Sequence, residues 1–300
     1  MASTPSVQAA NLFHVRDIVA VITGGGTGIG AMMTTALAEN GARRIYIVGR
    51  RIDKLNEVAA KYPSLRISIV VPLQGDITSQ AELKAMATKV REEFGYINLL
   101  IANAGMSGPM LETLKPRYTL KDYVDLAWST PMSEFNDTYG LNCTALYYTV
   151  LAFLELLDEG NKSGYKGGKS QVIATASTAS FLRHPRAGYA YLSSKAAVIS
   201  LIKTFSTFCV PWGIRFNAIA AGLFPSDIAE VLFKKYIIDP SKSLFEEGVF
   251  SRSYQPAERA GSIEDMAGLT LYMASRAGAF INGSVMLSDG GKIATMPATY

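Results

Sequence analysis

Short apolar runs alternate with longer amphipathic stretches along most of the chain. Ile18–Thr23, Ile45–Val48, Ile67–Val71, Leu99–Ala102, Val172–Thr175, Arg215–Ala220 and Val285–Leu287 are mostly apolar and rich in branched residues. That is the pattern of strands buried on both faces. Helical spacing fills the gaps: a small-residue helix to about Asn40, Ile52–Lys61, a helix to Phe94, and long helices over about Ser133–Leu157 and Tyr189–Phe208. The helix to Phe94 starts at Ser79, with Glu82 three residues on as its capping-box partner. Buried strands separated by helices need a parallel sheet covered on both faces. The expectation is therefore one α/β domain over residues 1–300, a Rossmann-type doubly wound fold with seven parallel strands. No linker or internal repeat divides it.

Two stretches break the alternation. Residues 106–131, with three prolines and Trp128, read as an ordered insertion. Residues 223–258 bring Leu223, Phe224, Ile228, Val231, Leu232, Phe233 and Tyr236, partly at helical intervals. Long excursions in compact domains tend to serve function. The second is expected to form a short helical lid over a bulky apolar substrate, or else an oligomer contact.

Composition narrows the classes. A chain of 300 residues that is 49% hydrophobic and 18% charged has ample core. The net charge of +4, without a dense basic run, argues against nucleic acid. Cys143 and Cys209 are far apart and outside any ligand spacing, so a reduced compartment and no metal site are expected. The first fifteen residues are polar, and no apolar run suggests the ~18 residues of a membrane span. A soluble cytoplasmic protein is the expectation.

The chemistry begins at Thr23-Gly24-Gly25-Gly26-Thr27-Gly28-Ile29-Gly30, between a strand and a helix. Gly24 can turn tightly, Gly28 lets backbone approach a pyrophosphate, and Gly30 lets helix and strand pack closely. The second strand ends in Gly49-Arg50-Arg51. Two guanidinium groups there favour a 2′-phosphate over bare ribose hydroxyls, hence NADP(H). Tyr191 and Lys195 lie four apart and share a helix face. An ammonium about 4 Å from a phenol is worth roughly 4 kcal/mol at a surface-like dielectric, enough to draw the phenol toward neutral pH as a general acid or base.

These motifs together resemble the short-chain dehydrogenase/reductase superfamily, over about residues 15–292, and the style resembles fungal secondary-metabolism reductases. The resemblance implies further roles. Gly24, Gly26, Thr27, Gly28, Ile29 and Gly30 match its cofactor turn. Asp76 and Ile77 match its adenine contact, and Asn103, Ala104 and Gly105 its element after the fourth strand. Asn142, Ser177, Tyr191 and Lys195 match its catalytic set, with Thr178 and Ser180 as competitors for Ser177. Lys195 would also hold the nicotinamide ribose. Gly222, Phe224 and Ser226 follow the sixth strand, where Ala221-Gly222 replaces the usual Pro-Gly and Ser226 stands for a common threonine. His184 is left outside the site. The resemblance implies a small-molecule carbonyl substrate and a homotetramer or homodimer built on the two long helices. Isomerisation, dehydration or cyclisation with bound NADP(H) stays open. A non-catalytic cofactor sensor fits less well, since it needs no tuned phenol.

Overall fold

The computed structural model describes residues 7–63, 68–111, 117–185 and 187–299. Residues 1–6 of the polar N-terminus, 112–116 of the insertion and Ile67 of the third expected strand lie outside them. The strands are β1 (Val19–Thr23), β2 (Arg44–Gly49), β3 (Val70–Gln74), β4 (Leu99–Ala102), β5 (Gln171–Ser177), β6 (Arg215–Ala221) and β7 (Val285–Ser288). All pair in parallel, in the order β3-β2-β1-β4-β5-β6-β7. The winding reverses between β1 and β4. In open α/β sheets that reversal opens a crevice beyond the carboxyl ends of the strands.

The helices are α1 (Ala9–Leu12), α2 (Gly28–Glu39), α3 (Ile52–Ala59), α4 (Gln80–Glu93), α5 (Leu120–Trp128), α6 (Met132–Tyr139), α7 (Ala145–Lys162), α8 (Tyr189–Phe208), α9 (Glu230–Tyr236) and α10 (Ile263–Ala274). Every residue of β1 is buried, as a central strand requires. Its alternate side chains feed two cores. Val19 and Val21 pack with Leu83, Val150 and Val198 of α4, α7 and α8, whereas Ala20 and Ile22 pack with Leu37, Leu55 and Met266 of α2, α3 and α10.

Two expectations are corrected. β3 begins at Val70, three residues beyond the expected start at Ile67, and runs through Pro72 to Gln74. Pro72 ends an apolar run to the eye, but β3 is an edge strand paired only with β2. An edge tolerates the missing N–H. The second concerns the long helix: Met132–Lys162 does reach the length and hydropathy (1.4) of a membrane span. Half of its most apolar window is buried within the fold, with Val150, Phe153 and Leu157 in the core beside the sheet.

That helix is also not uniform. Gly140–Thr144 is a π-helical turn between α6 and α7, and it holds Asn142. The 106–131 stretch contains α5, started by a capping box between Thr119 and Asp122. The 223–258 stretch contains α9 and a small core, in which Ala229, Phe233, Val249 and Phe250 are buried together with Ala260 just beyond it.

Candidate active site

The glycine turn leaves β1 with Gly24 at φ +68°, and the Gly24 amide donates to the Val48 carbonyl at 2.7 Å. A Cβ on Gly30 would lie 2.1 Å from the Gly24 carbonyl oxygen, so α2 sits closer to the turn than any other residue allows. Thr27 precedes α2 and makes no side-chain cap bond to it. The first-turn amides therefore stay open to an anion. Open donors at a helix N-terminus, approached over side-chain-free backbone, fit the pyrophosphate of a dinucleotide.

Beside the turn, the carboxyl ends of β1, β4 and β5 are laced together. Thr23 Oγ1 accepts from the Asn103 and Ala104 amides at 3.0 and 3.1 Å. Asn103 Nδ2 donates to the Thr23 carbonyl at 3.1 Å, and Thr175 Oγ1 donates to Asn103 Oδ1 at 3.0 Å. From sequence Thr23 was read only as the first residue of the glycine motif, and Thr175 was not singled out. A hydroxyl at the end of an apolar strand is the only signal of Thr175. At the next strand end, the Thr78 amide and hydroxyl hold the Asp76 carboxyl below the usual carboxylate range. Ile77 is buried behind it.

The four candidate catalytic residues converge, with one surprise. Ser177 ends β5, buried, with its hydroxyl close enough to the Tyr191 phenol to draw that phenol's pKa down. Ser177 Oγ also accepts from the Ala179 amide at 3.1 Å. Lys195 is buried one helical turn after Tyr191, but its ammonium donates to the Thr175 carbonyl at 2.8 Å and stands 6.0 Å from the Tyr191 ring centre. In this arrangement the ammonium faces both the Tyr191 ring and the Thr175 carbonyl. Burial raises the Tyr191 phenol above its ordinary value, against the lowering effect of Ser177. Burial in turn lowers the Lys195 ammonium to about 8.

Asn142 serves from behind. Its Oδ1 accepts from the Met106 amide at 2.9 Å, and its Nδ2 donates to the Met106 carbonyl and to Ser194 Oγ, each at 3.0 Å. It thereby pins the start of the 106–131 stretch to the helix that carries Tyr191. A Cβ on Gly105 would meet Asn142 Oδ1 at 2.9 Å and Lys195 Nζ at 3.2 Å, so that glycine leaves room for the amine.

A single cavity of about 2160 Å³ runs along these strand ends. Every sequence-derived site residue lines it except Gly30, which packs beneath the turn, and Asn142. Three lining residues also make contacts within the fold. Gly222 is needed for close approach, since a Cβ there would lie 2.6 Å from Asp289 Cα. The Phe224 ring lies against Gly261 in the core. Ser226 Oγ accepts from the Ala229 amide at 3.3 Å, within its own turn. Of the rivals to Ser177, Thr178 lines the cavity and Ser180 does not.

The sequence also left out residues that the fold brings here. His184 lines the cavity. Tyr123 of α5 and Tyr189 of α8 join hydroxyls at 2.8 Å in its wall. Arg51 pairs with Asp227 at 3.0 Å and reaches Thr27 Oγ1 at 3.3 Å. Six of the seven residues expected in a lid line the same cavity: Leu223, Phe224, Ile228, Val231, Leu232 and Tyr236. Phe233 instead fills the small core of the 223–258 stretch.

The chain matches a family model described as short chain dehydrogenase over residues 18–237. It is 43% identical over 297 residues to the short-chain dehydrogenase/reductase PhomF of Diaporthe leptostromiformis, covering 99% of this chain and 98% of that one. It is 39% identical over 284 residues to the short-chain dehydrogenase/reductase SAT3 of Stachybotrys chartarum, covering 89% and 100%. Among solved structures, the Pseudomonas aeruginosa RhlG/NADP active-site complex aligns with TM-score 0.74 and 28% identity, over 94% of this chain and 98% of that one.

Proposed function

We propose that this chain, which belongs to the short-chain dehydrogenase family, reduces a ketone on a bulky, mainly apolar secondary metabolite, using NADPH. The observation that carries the reading is Ser177 beside the half-buried Tyr191 phenol and Lys195, in the cavity that also follows the glycine turn. A nicotinamide cofactor, when bound, supplies the hydride. Thr27, Gly28 and Ile29 would hold its pyrophosphate, Arg50 and Arg51 the 2′-phosphate, and Asp76 and Ile77 the adenine. Asn103, Ala104, Gly105, Gly222, Phe224 and Ser226 would wall it in.

Ser177 and Tyr191 offer two hydroxyl donors to one substrate oxygen. Donors placed in advance are worth most when negative charge has grown on that oxygen. Tyr191 then gives its phenolic proton to the new alkoxide. A phenol that burial keeps protonated is better prepared to donate than to abstract, which favours reduction over oxidation. Lys195 keeps a positive charge near the ring below about pH 8. Asn142 holds Met106, and with it one wall of the substrate space. The apolar side chains of the 223–258 stretch and the Tyr123–Tyr189 pair suit a large substrate with an oxygen at its far end. A homotetramer, or a homodimer, completes the proposal.

The test is loss of reduced-nicotinamide absorbance with a panel of cyclic and aromatic ketones. NADPH should be consumed in preference to NADH, and Tyr191→Phe should slow turnover by about 10²–10⁴. No consumption with any ketone would turn the reading toward isomerisation, dehydration or cyclisation. NADH outperforming NADPH severalfold would reject the assignment of Arg50 and Arg51.

A further inference from the structure

We propose that Asp227 competes with the 2′-phosphate of the cofactor for Arg51, so that the 223–258 segment senses which dinucleotide is bound. The inference rests on the phosphate role given to Arg51 above. One terminal nitrogen of Arg51 lies 3.0 Å from Asp227 Oδ2 and 3.3 Å from Thr27 Oγ1. Those three residues come from three places. Thr27 immediately precedes α2, Arg51 immediately precedes α3, and Asp227 lies three residues ahead of α9. A single guanidinium thus ties the segment to the mouth of the dinucleotide cradle.

The segment rests on the cradle a second time. A Cβ on Gly28 would lie 3.0 Å from Ser226 Cβ and 3.6 Å from the Pro225 carbonyl oxygen. Any shift of Asp227 is therefore felt beside the pyrophosphate turn on one side and along α9 on the other. Arg50 lines the same cavity, with its charge felt by Asp76.

The ion pair is suited to exchange rather than to permanence. Its side chains are 57% and 71% exposed. Exposed pairs of this kind change an equilibrium by only about two- to fivefold. A phosphate dianion offers the guanidinium a stronger, two-pronged partner. Once Arg51 turns to it, the Asp227 carboxylate stands uncompensated next to like charge, which is unfavourable. The start of the segment then moves away. A dinucleotide without the 2′-phosphate leaves the pair closed.

The experiment uses the full chain and two probes without nicotinamide, 2′,5′-ADP and 5′-AMP. Calorimetry reads their affinity, and hydrogen exchange reads the amides of Glu230–Tyr236. 2′,5′-ADP should speed exchange in that helix, and 5′-AMP should not. Asp227→Asn should speed it in the free chain and tighten 2′,5′-ADP about two- to fivefold, with 5′-AMP unchanged. If Arg51→Ala leaves 2′,5′-ADP affinity intact, the phosphate role of Arg51 fails. If Arg51→Ala weakens it while Asp227→Asn alters neither affinity nor exchange, the competition is overturned and the phosphate role survives.

Discussion

The Lys195 ammonium is the residue with most to tell about pH. Burial holds it at about 8, down from 10.5, and its hydrogen bond goes to the Thr175 carbonyl. As pH rises through about 8 the amine loses its proton and the site loses its one deeply buried cation. The free-enzyme pKa values appear in kcat/KM. The reductive kcat/KM should therefore fall above about pH 8, and Lys195→Arg, which stays charged, should abolish that limb in whatever activity it retains. A flat profile to pH 10 refutes the assignment. Stability carries the opposite sign: between about 8 and 10.5 the unfolded chain binds more protons than the native one, so this group's contribution improves as pH rises. Position was legible here in the i,i+4 spacing of Tyr191 and Lys195. The ammonium's hydrogen-bond partner was not, because the Thr175 carbonyl lies 20 residues upstream on another element.

At the scale of elements, the strand-to-helix turn was legible because glycine is demanded by close approach itself. The Cβ of Gly30→Ala would meet the Gly24 carbonyl oxygen at 2.1 Å. Overpacking of this kind costs about 1–3 kcal/mol, so Gly30→Ala should melt several degrees below the parent and bind NADPH more weakly. A parental melting temperature would refute the tight packing. Other elements were hidden for identifiable reasons. β3 was misplaced because Pro72 looks like a terminator unless the strand is known to lie at an edge. The π turn at Gly140–Thr144 left no mark in the periodicity of the long helix, yet it carries the Asn142 side chain that grips Met106. Such turns often occur where a helix is bent to a purpose.

For the whole molecule, seven parallel strands and both helical layers followed from alternation alone. The cavity wall did not, since α5, α8, α9 and the end of β6 meet only after the sheet is wound. Surface chemistry adds one expectation. Tyr147, Tyr148 and Leu151 of α7 are each more than a third exposed, and Phe208 at the end of α8 is 69% exposed. Tyr147 stacks on Phe205 at 5.8 Å, making one apolar face of the two helices. Light scattering should give the mass of four chains, and a monomer mass would refute the assembly. Last, the buried cluster of Phe233, Val249 and Phe250 has its own meaning. A segment that packs against itself can be exchanged for another without unsettling the sheet beneath. Substrate range and hydride chemistry can then diverge independently, as a tool head changes while its handle stays the same.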